Sequence, residues 1–188
     1  MICRRCTHCG LCPGDGSVKE GLIVQTESRN ADLVLCPDGF AGNAVGLAFD
    51  IGTTTVACRA YSLSDGMLLC SFGEKNPQVA YGNDVITRIS FSMKTDGLKE
   101  LNSAIVTCVR EMISRAMLVS QGILAEKRRG RAELKKIVVA GNTVMESLFN
   151  GTSVSSLACY PFIPESKFGV EIDAEKIFGS EFFAGSCK

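Results

Sequence analysis

Apolar residues recur along this chain with two different periods, and the switch between them lays out the elements. Gly46-Leu47-Ala48-Phe49-Asp50-Ile51-Gly52 is a short apolar run that predicts a buried strand. Thr53 to Tyr61 is rich in β-forming residues. Ser64-Asp65-Gly66 is a turn signal, and Met67 to Phe72 can pair back across it. The expected result is a three-stranded meander. The period then becomes helical. Asp84 is a candidate N-cap before Val85, Ile86, Ile89 and Met93. From Gly97, the apolar positions Leu98, Leu101, Ile105, Cys108, Met112, Ala116, Val119 and Ile123 lie three or four apart. That spacing predicts one long helix with a core-facing stripe. Lys136-Ile137-Val138-Val139-Ala140 predicts a fourth buried strand. Gly141-Asn142-Thr143 then turns into a helix carrying Val144, Met145, Leu148 and Phe149.

The order β-β-β-α-α-β-α is that of a ribonuclease-H-like half-domain, an α/β fold with a mixed sheet and a β-meander flanked by helices. This pattern begins only near residue 43. Residues 1–42 read as a cysteine-rich segment and linker, and residues 43–188 as the half-domain. Residues 1–20 are loop-like, with Pro13-Gly14-Asp15-Gly16 as a turn cluster. Short apolar patches between Gly21 and Leu35 suggest a small hairpin.

Charge narrows the function classes. Twenty basic residues balance twenty acidic ones over 188 residues, so there is no whole-chain electrostatic case for nucleic acid or an anionic membrane. The cluster Lys127-Arg128-Arg129-Gly130-Arg131 reads as a solvated loop. No apolar run reaches transmembrane length, and Met1 to Arg5 leads into cysteines instead of an apolar signal core. The expected compartment is the cytoplasm. There Cys58, Cys70, Cys108, Cys159 and Cys187, set in apolar stretches, are expected as buried free thiols.

The other five cysteines are different. Cys3, Cys6, Cys9 and Cys12 make three overlapping C-x-x-C steps before Pro13, and Cys36-Pro37 adds a fifth thiol. Repeated C-x-x-C spacing closing on Cys-Pro suits a [4Fe–4S] cluster, where each iron takes one thiolate. The run is one residue shorter than the bacterial ferredoxin pattern before its last cysteine, which leaves the fourth ligand open between Cys12 and Cys36. His8 is a minor alternative. A structural zinc ion also takes four thiolates, but it usually draws them from two separate knuckles.

A second motif carries phosphate chemistry. In Asp50-Ile51-Gly52-Thr53-Thr54-Thr55 an acidic residue ends a strand, a glycine follows, and hydroxyl residues begin the next strand. Gly52 allows close backbone approach and conformations barred to other residues. The N–H groups and hydroxyls of Thr53, Thr54 and Thr55 can cradle phosphate oxygens. Asp50 can hold magnesium against them. This is the form of the first phosphate loop of the actin-like (ASKHA) ATPases. The plainer reading is a hairpin whose aspartate caps a turn.

Three further segments carry a resemblance. They are Asn76-Pro77-Gln78 with Tyr81-Gly82-Asn83-Asp84-Val85-Ile86-Thr87-Arg88-Ile89, then Ala140 to Gly151, then Tyr160-Pro161-Phe162-Ile163-Pro164. In this order and spacing the chain resembles the ATP-dependent reductive activators of corrinoid proteins. The resemblance implies return of a corrinoid from Co(II) to Co(I) for a methyltransferase system. ATP and Mg2+ supply the drive, and an iron–sulfur cluster passes the electron. The implied partners are a corrinoid protein and an electron donor such as a ferredoxin. Carried over, Asp50 and Asp84 are the catalytic carboxylates, and Gly52 to Thr55 handle phosphate. Asn76, Gln78, Asp84 and Arg88 line the cleft or position a water. Gly141, Asn142 and Thr143 sit at a helix N-terminus facing the same cleft. Without the resemblance, Asp84 and Arg88 read as a cap and a surface ion pair.

Actin-like ATPases close their nucleotide with a second half that brings another phosphate loop and the adenosine site. Neither is found before Lys188, so the chain is expected to be the head and first half of a longer protein. Alone it is expected to bind ATP weakly and to expose apolar surface around Ile163, Phe168, Phe182 and Phe183. Two other classes stay open: a fragment of a small-molecule kinase of the same superfamily, and a zinc-headed interaction module on an inert scaffold.

Overall fold

The computed structural model describes residues 40–165 and 171–179. The expected cluster ligands Cys3, Cys6, Cys9, Cys12 and Cys36 lie outside the described residues, as do Phe168, Phe182, Phe183 and Cys187.

Four strands form one sheet: β1 (Ala44–Ile51), β2 (Thr55–Ser62), β3 (Leu68–Lys75) and β4 (Glu133–Gly141). Their order is β3-β2-β1-β4. The meander β1-β2-β3 is antiparallel, and β4 lies parallel to β1 after a helical crossover. A short 3-10 turn (Pro77–Ala80) precedes α1 (Val85–Ser92) and α2 (Gly97–Glu126). After β4 come α3 (Thr143–Phe149) and α4 (Ala174–Phe178). Through α3 this is the predicted order, and the class is the predicted one, a ribonuclease-H-like half-domain with a mixed sheet and flanking helices. Among the described residues no helix is long and apolar enough to cross a membrane.

The core lies between one face of the sheet and α2. Alternation along β1 turns Val45, Leu47, Phe49 and Ile51 to that face, joined by Val56, Cys58 and Ala60 of β2. Leu101, Ile105, Val109, Met112, Ile113, Ala116 and Leu124 of α2 close it. Burying each large aliphatic side chain contributes about 1.5–3 kcal/mol. The opposite face is open at the positions between, with Asp50 and Arg59 exposed.

Four expectations need adjustment. The stripe on α2 shares Leu101, Ile105, Met112 and Ala116 with the predicted one, but Val119 is 39% exposed while Ser120 and Leu124 are buried. The helix is long enough that small departures from a 3.5-residue repeat rotate the stripe by its last turns. β4 is an outer strand, not a buried one: Leu134 is buried, but Lys135, Lys136, Val138 and Ala140 are exposed. The thiols also differ among themselves. Cys58 is buried, Cys70 and Cys108 are half-buried, and Cys159 is exposed. Burial pushes the Cys58 thiol up to about 12. The basic loop is anchored in part, since the Arg129 guanidinium pairs with Asp65 at 2.7 Å and donates to the Ser62 hydroxyl at 3.3 Å.

Candidate functional site

The turn between β1 and β2 is three residues long, Gly52-Thr53-Thr54. The Gly52 N–H donates to the Thr55 carbonyl at 2.9 Å and closes it. A Cβ at Gly52 would stand 2.8 Å from that carbonyl oxygen. Glycine is therefore required by close approach, while its φ is not in the left-handed region. Asp50, two residues earlier, points to the open face of the sheet. Its register neighbours there are Ala57 and Ala140, which leave its carboxylate uncovered. Among the described residues that carboxylate makes no hydrogen bond or ion pair.

The turn is held from behind by one polar cluster. The Asn76 side-chain amide donates to the Gly52 carbonyl at 2.8 Å. The Arg88 guanidinium donates through Nη2 to the Thr53 carbonyl. The Asn76 backbone N–H donates to the Thr54 carbonyl at 2.8 Å. Three consecutive carbonyls are thus satisfied by a single segment. Arg88 also donates through Nε to Gly82 O at 2.9 Å, and through Nη1 to Gln78 Oε1 at 3.3 Å and Met145 Sδ at 3.1 Å. Gln78 in turn donates to Leu101 O at 3.0 Å. A Cβ at Gly82 would meet Thr87 Oγ1 at 2.5 Å, so only glycine lets its carbonyl reach Arg88. Asn76, Gln78 and Arg88 are all fully buried. Burial pulls the Arg88 pKa down, and the more distant Asp84 charge opposes this.

The residues expected to line the cleft therefore fall into two groups. Asn76, Gln78 and Arg88 stand beneath the loop with their polar atoms engaged, so Arg88 is not part of a surface ion pair. Asp84 is exposed and caps α1. Its Oδ1 accepts the Thr87 N–H at 2.8 Å and the Thr87 hydroxyl at 3.1 Å, while the Asp84 N–H reaches back to that hydroxyl at 3.3 Å. This is a capping box. The Thr87 bonds hold the Asp84 carboxyl below the usual carboxylate range.

The N-terminus of α3 approaches the loop from the other side. Asn142 Oδ1 accepts the N–H groups of Val144 and Met145 at 3.1 and 3.0 Å, and its Nδ2 lies 3.4 Å from Thr53 Oγ1. Gly141, at the end of β4, is matched in register with Ile51, and Thr143 opens α3. The structure thus brings together Asp50, Gly52, Thr53, Thr54, Gly141, Asn142 and Thr143 where β1 and β4 end. Thr55 begins β2 beside them. Two residues were missed as members of this group. Met145 lies in the core as expected, and its sulfur also accepts from Arg88. Glu146 accepts the Gly141 N–H at 3.2 Å, and burial pushes its carboxyl up. Neither is visible in a pattern that scores Met as apolar and a helical Glu as solvated.

The loop suits an anion with a bound cation. Among the described residues the N–H groups of Thr53 and Thr54 have no acceptor, and the Asp50 carboxylate stands free on the same rim. Among the described residues no group of three or more His, Cys, Asp or Glu side chains is arranged to hold a metal ion by itself.

The RACo middle region family model matches residues 45–180. The chain belongs to the RACo middle region family. A corrinoid activation enzyme, RamQ of Eubacterium limosum, is 29% identical over 128 residues, 68% of this chain and 20% of that protein. A solved structure of a reductive activator for a corrinoid, iron-sulfur protein is 33% identical, with a TM-score of 0.57 over 68% of this chain and 19% of its own. The chain thus spans about a fifth of the length of each. In this RACo middle region the loop after β1 and the N-terminus of α3 form the candidate site.

Proposed function

We propose that the chain contributes the first phosphate-binding wall of an ATP-dependent reductive activator of a corrinoid protein. The observation that carries this reading is the Gly52–Thr54 turn. Among the described residues its Thr53 and Thr54 N–H groups are free and its carbonyls are tied inward, in a chain of the RACo middle region family. The names of the two relatives, a corrinoid activation enzyme and a reductive activator, support the choice of partner. In this reading Thr53 and Thr54 donate to phosphate oxygens, and Asp50 holds magnesium against them. Asn142, which caps α3, lies beside the same turn with its Nδ2 3.4 Å from Thr53 Oγ1. Asp84 caps α1 through Oδ1, and in this reading its exposed carboxylate is the second catalytic carboxylate.

The activated step adds one electron to Co(II) to give Co(I). Hydrolysis of ATP to ADP and phosphate supplies the free energy. A [4Fe–4S] cluster, when bound, would supply one-electron transfer from a low-potential donor such as a ferredoxin. Cys3, Cys6 and Cys9 would hold it, with Cys12 or Cys36 as fourth ligand. Cys6→Ser should abolish iron loading while the body stays folded; unchanged iron content in that variant would overturn the assignment.

A chimera tests the activity. Residues 45–180 replace the matching segment of the Eubacterium limosum enzyme. A Co(II) corrinoid protein, a reductant and magnesium-ATP are then added without oxygen. Co(I) formation that needs both ATP and the chimera is the expected result. If Co(I) forms equally fast without ATP, the reading is wrong.

A further inference from the structure

We infer that Arg88, with Asn76, is a positioning residue that sets the loop after β1 in its anion-accepting form, without touching the anion. The inference rests on the phosphate-loop reading only for the nature of the ligand. The geometry of the loop stands apart from it.

In a trans peptide the C=O and the N–H of the same plane point in opposite directions. Asn76 draws the Gly52 carbonyl inward at 2.8 Å, so the Thr53 N–H must face outward. Arg88 draws the Thr53 carbonyl inward, so the Thr54 N–H faces outward as well. Two successive outward N–H groups form a concave donor pair, the kind of backbone nest that takes an anion. Without these ties a three-residue turn has other solutions, because its carbonyls could turn to water.

Only an arginine fits this job. Its planar fork sends donors in three directions at once, to Gly82 O, to Gln78 Oε1 with Met145 Sδ, and to Thr53 O. A lysine keeps the charge but reaches one of these directions at a time. The fork also joins three parts of the chain: the loop itself, the 76–88 segment, and α3 through Met145. The α3 N-terminus is thereby placed against the same rim as the two free N–H groups.

Amide exchange and chemical shifts of the 15N-labelled chain test this. Two protected amides report on the turn, Gly52 N–H on Thr55 O and Asn76 N–H on Thr54 O. In Arg88→Lys both should exchange about tenfold faster relative to the amides of Phe49 and Cys58, the effect of losing one charge-assisted bond. Asn76→Ser should do the same more weakly. Inorganic tripolyphosphate with magnesium is the anion probe. It should move the Thr53 and Thr54 amide signals in the wild type and move them less in Arg88→Lys. If Gly52 and Asn76 exchange at wild-type rates in a folded Arg88→Lys chain, the inference is overturned. If neither variant folds, the two residues serve stability as a whole and the inference is likewise overturned. If tripolyphosphate moves nothing in the wild type but the exchange effect is present, the positioning role holds and the phosphate reading is what fails.

Discussion

The two sides of the Gly52–Thr54 turn have opposite environments. Behind it, Asn76, Gln78 and Arg88 are fully buried and hydrogen-bonded. In front, Asp50 is exposed, and the N–H groups of Thr53 and Thr54 have no acceptor among the described residues. A buried polar group is costly unless it is partnered, so the rear side commits its bonding capacity to the fold. The front side keeps its capacity free for a ligand. Substitutions behind the turn should therefore register first as stability, and substitutions in front first as binding.

The largest expected effect is behind. Arg88→Met leaves Thr53 O, Gly82 O and Gln78 Oε1 without their donor. It should cost about 3 kcal/mol of unfolding free energy, read from urea denaturation followed by circular dichroism. A loss below about 1 kcal/mol would mean that water replaces the guanidinium and the contrast is false. Next comes Asn76→Ala, which strips the Gly52 carbonyl and the Gln78 N–H of partners. About 2 kcal/mol is expected in the same assay.

The front side should behave otherwise. Asp50→Ala should change stability by no more than about 0.5 kcal/mol, since it removes an exposed and unpartnered group. In the full-length chimera it should abolish magnesium-dependent ATP binding. Calorimetric titration giving wild-type affinity for magnesium-ATP would remove Asp50 from the site.

The smallest effect is a pH dependence that separates two carboxylates. Asp84 has a folded pKa below its unfolded value, so the unfolded chain binds its proton more readily. Its contribution is complete above the unfolded pKa of about 3.9 and is lost as pH falls through the folded value. Asp84→Asn should flatten the acid limb of a stability–pH curve. Glu146 has the opposite sign. Its folded pKa is raised, so its contribution is complete below an unfolded value of about 4.3 and is lost as pH rises through the folded one. Glu146→Gln should remove that decline. Superimposable curves for wild type and both variants would show that neither group is coupled to folding.

Much of the fold was legible because period and punctuation agree. The meander follows from β-forming runs around Ser64-Asp65-Gly66, and α2 follows from spacing that no strand could satisfy. The end of α2 was less legible, because a stripe drifts with length and Ser120 carries no apolar signal. At the site, Asp50, Gly52 and the threonines announce themselves by type and order, as does Asn142 before a helix. The side of the loop on which Asn76, Gln78 and Arg88 stand is not written in their identities. A buried arginine and an exposed one look alike in sequence. What separates them here is a set of carbonyls that only the folded chain assembles. Residues chosen for a shared pattern with known activators thus proved to include the frame of the loop as well as its face.

β4 has a consequence of a different kind. As an outer strand it offers a row of backbone donors and acceptors to any extended chain nearby, the usual starting point for edge-to-edge aggregation. Lys135 and Lys136 are both exposed along it, and Lys135 leans on Glu133 at 2.8 Å. A second copy added in register would have to stack ammonium groups against one another and strip them of water. Wherever that edge is left open to solvent, the two lysines would oppose edge-to-edge growth from it.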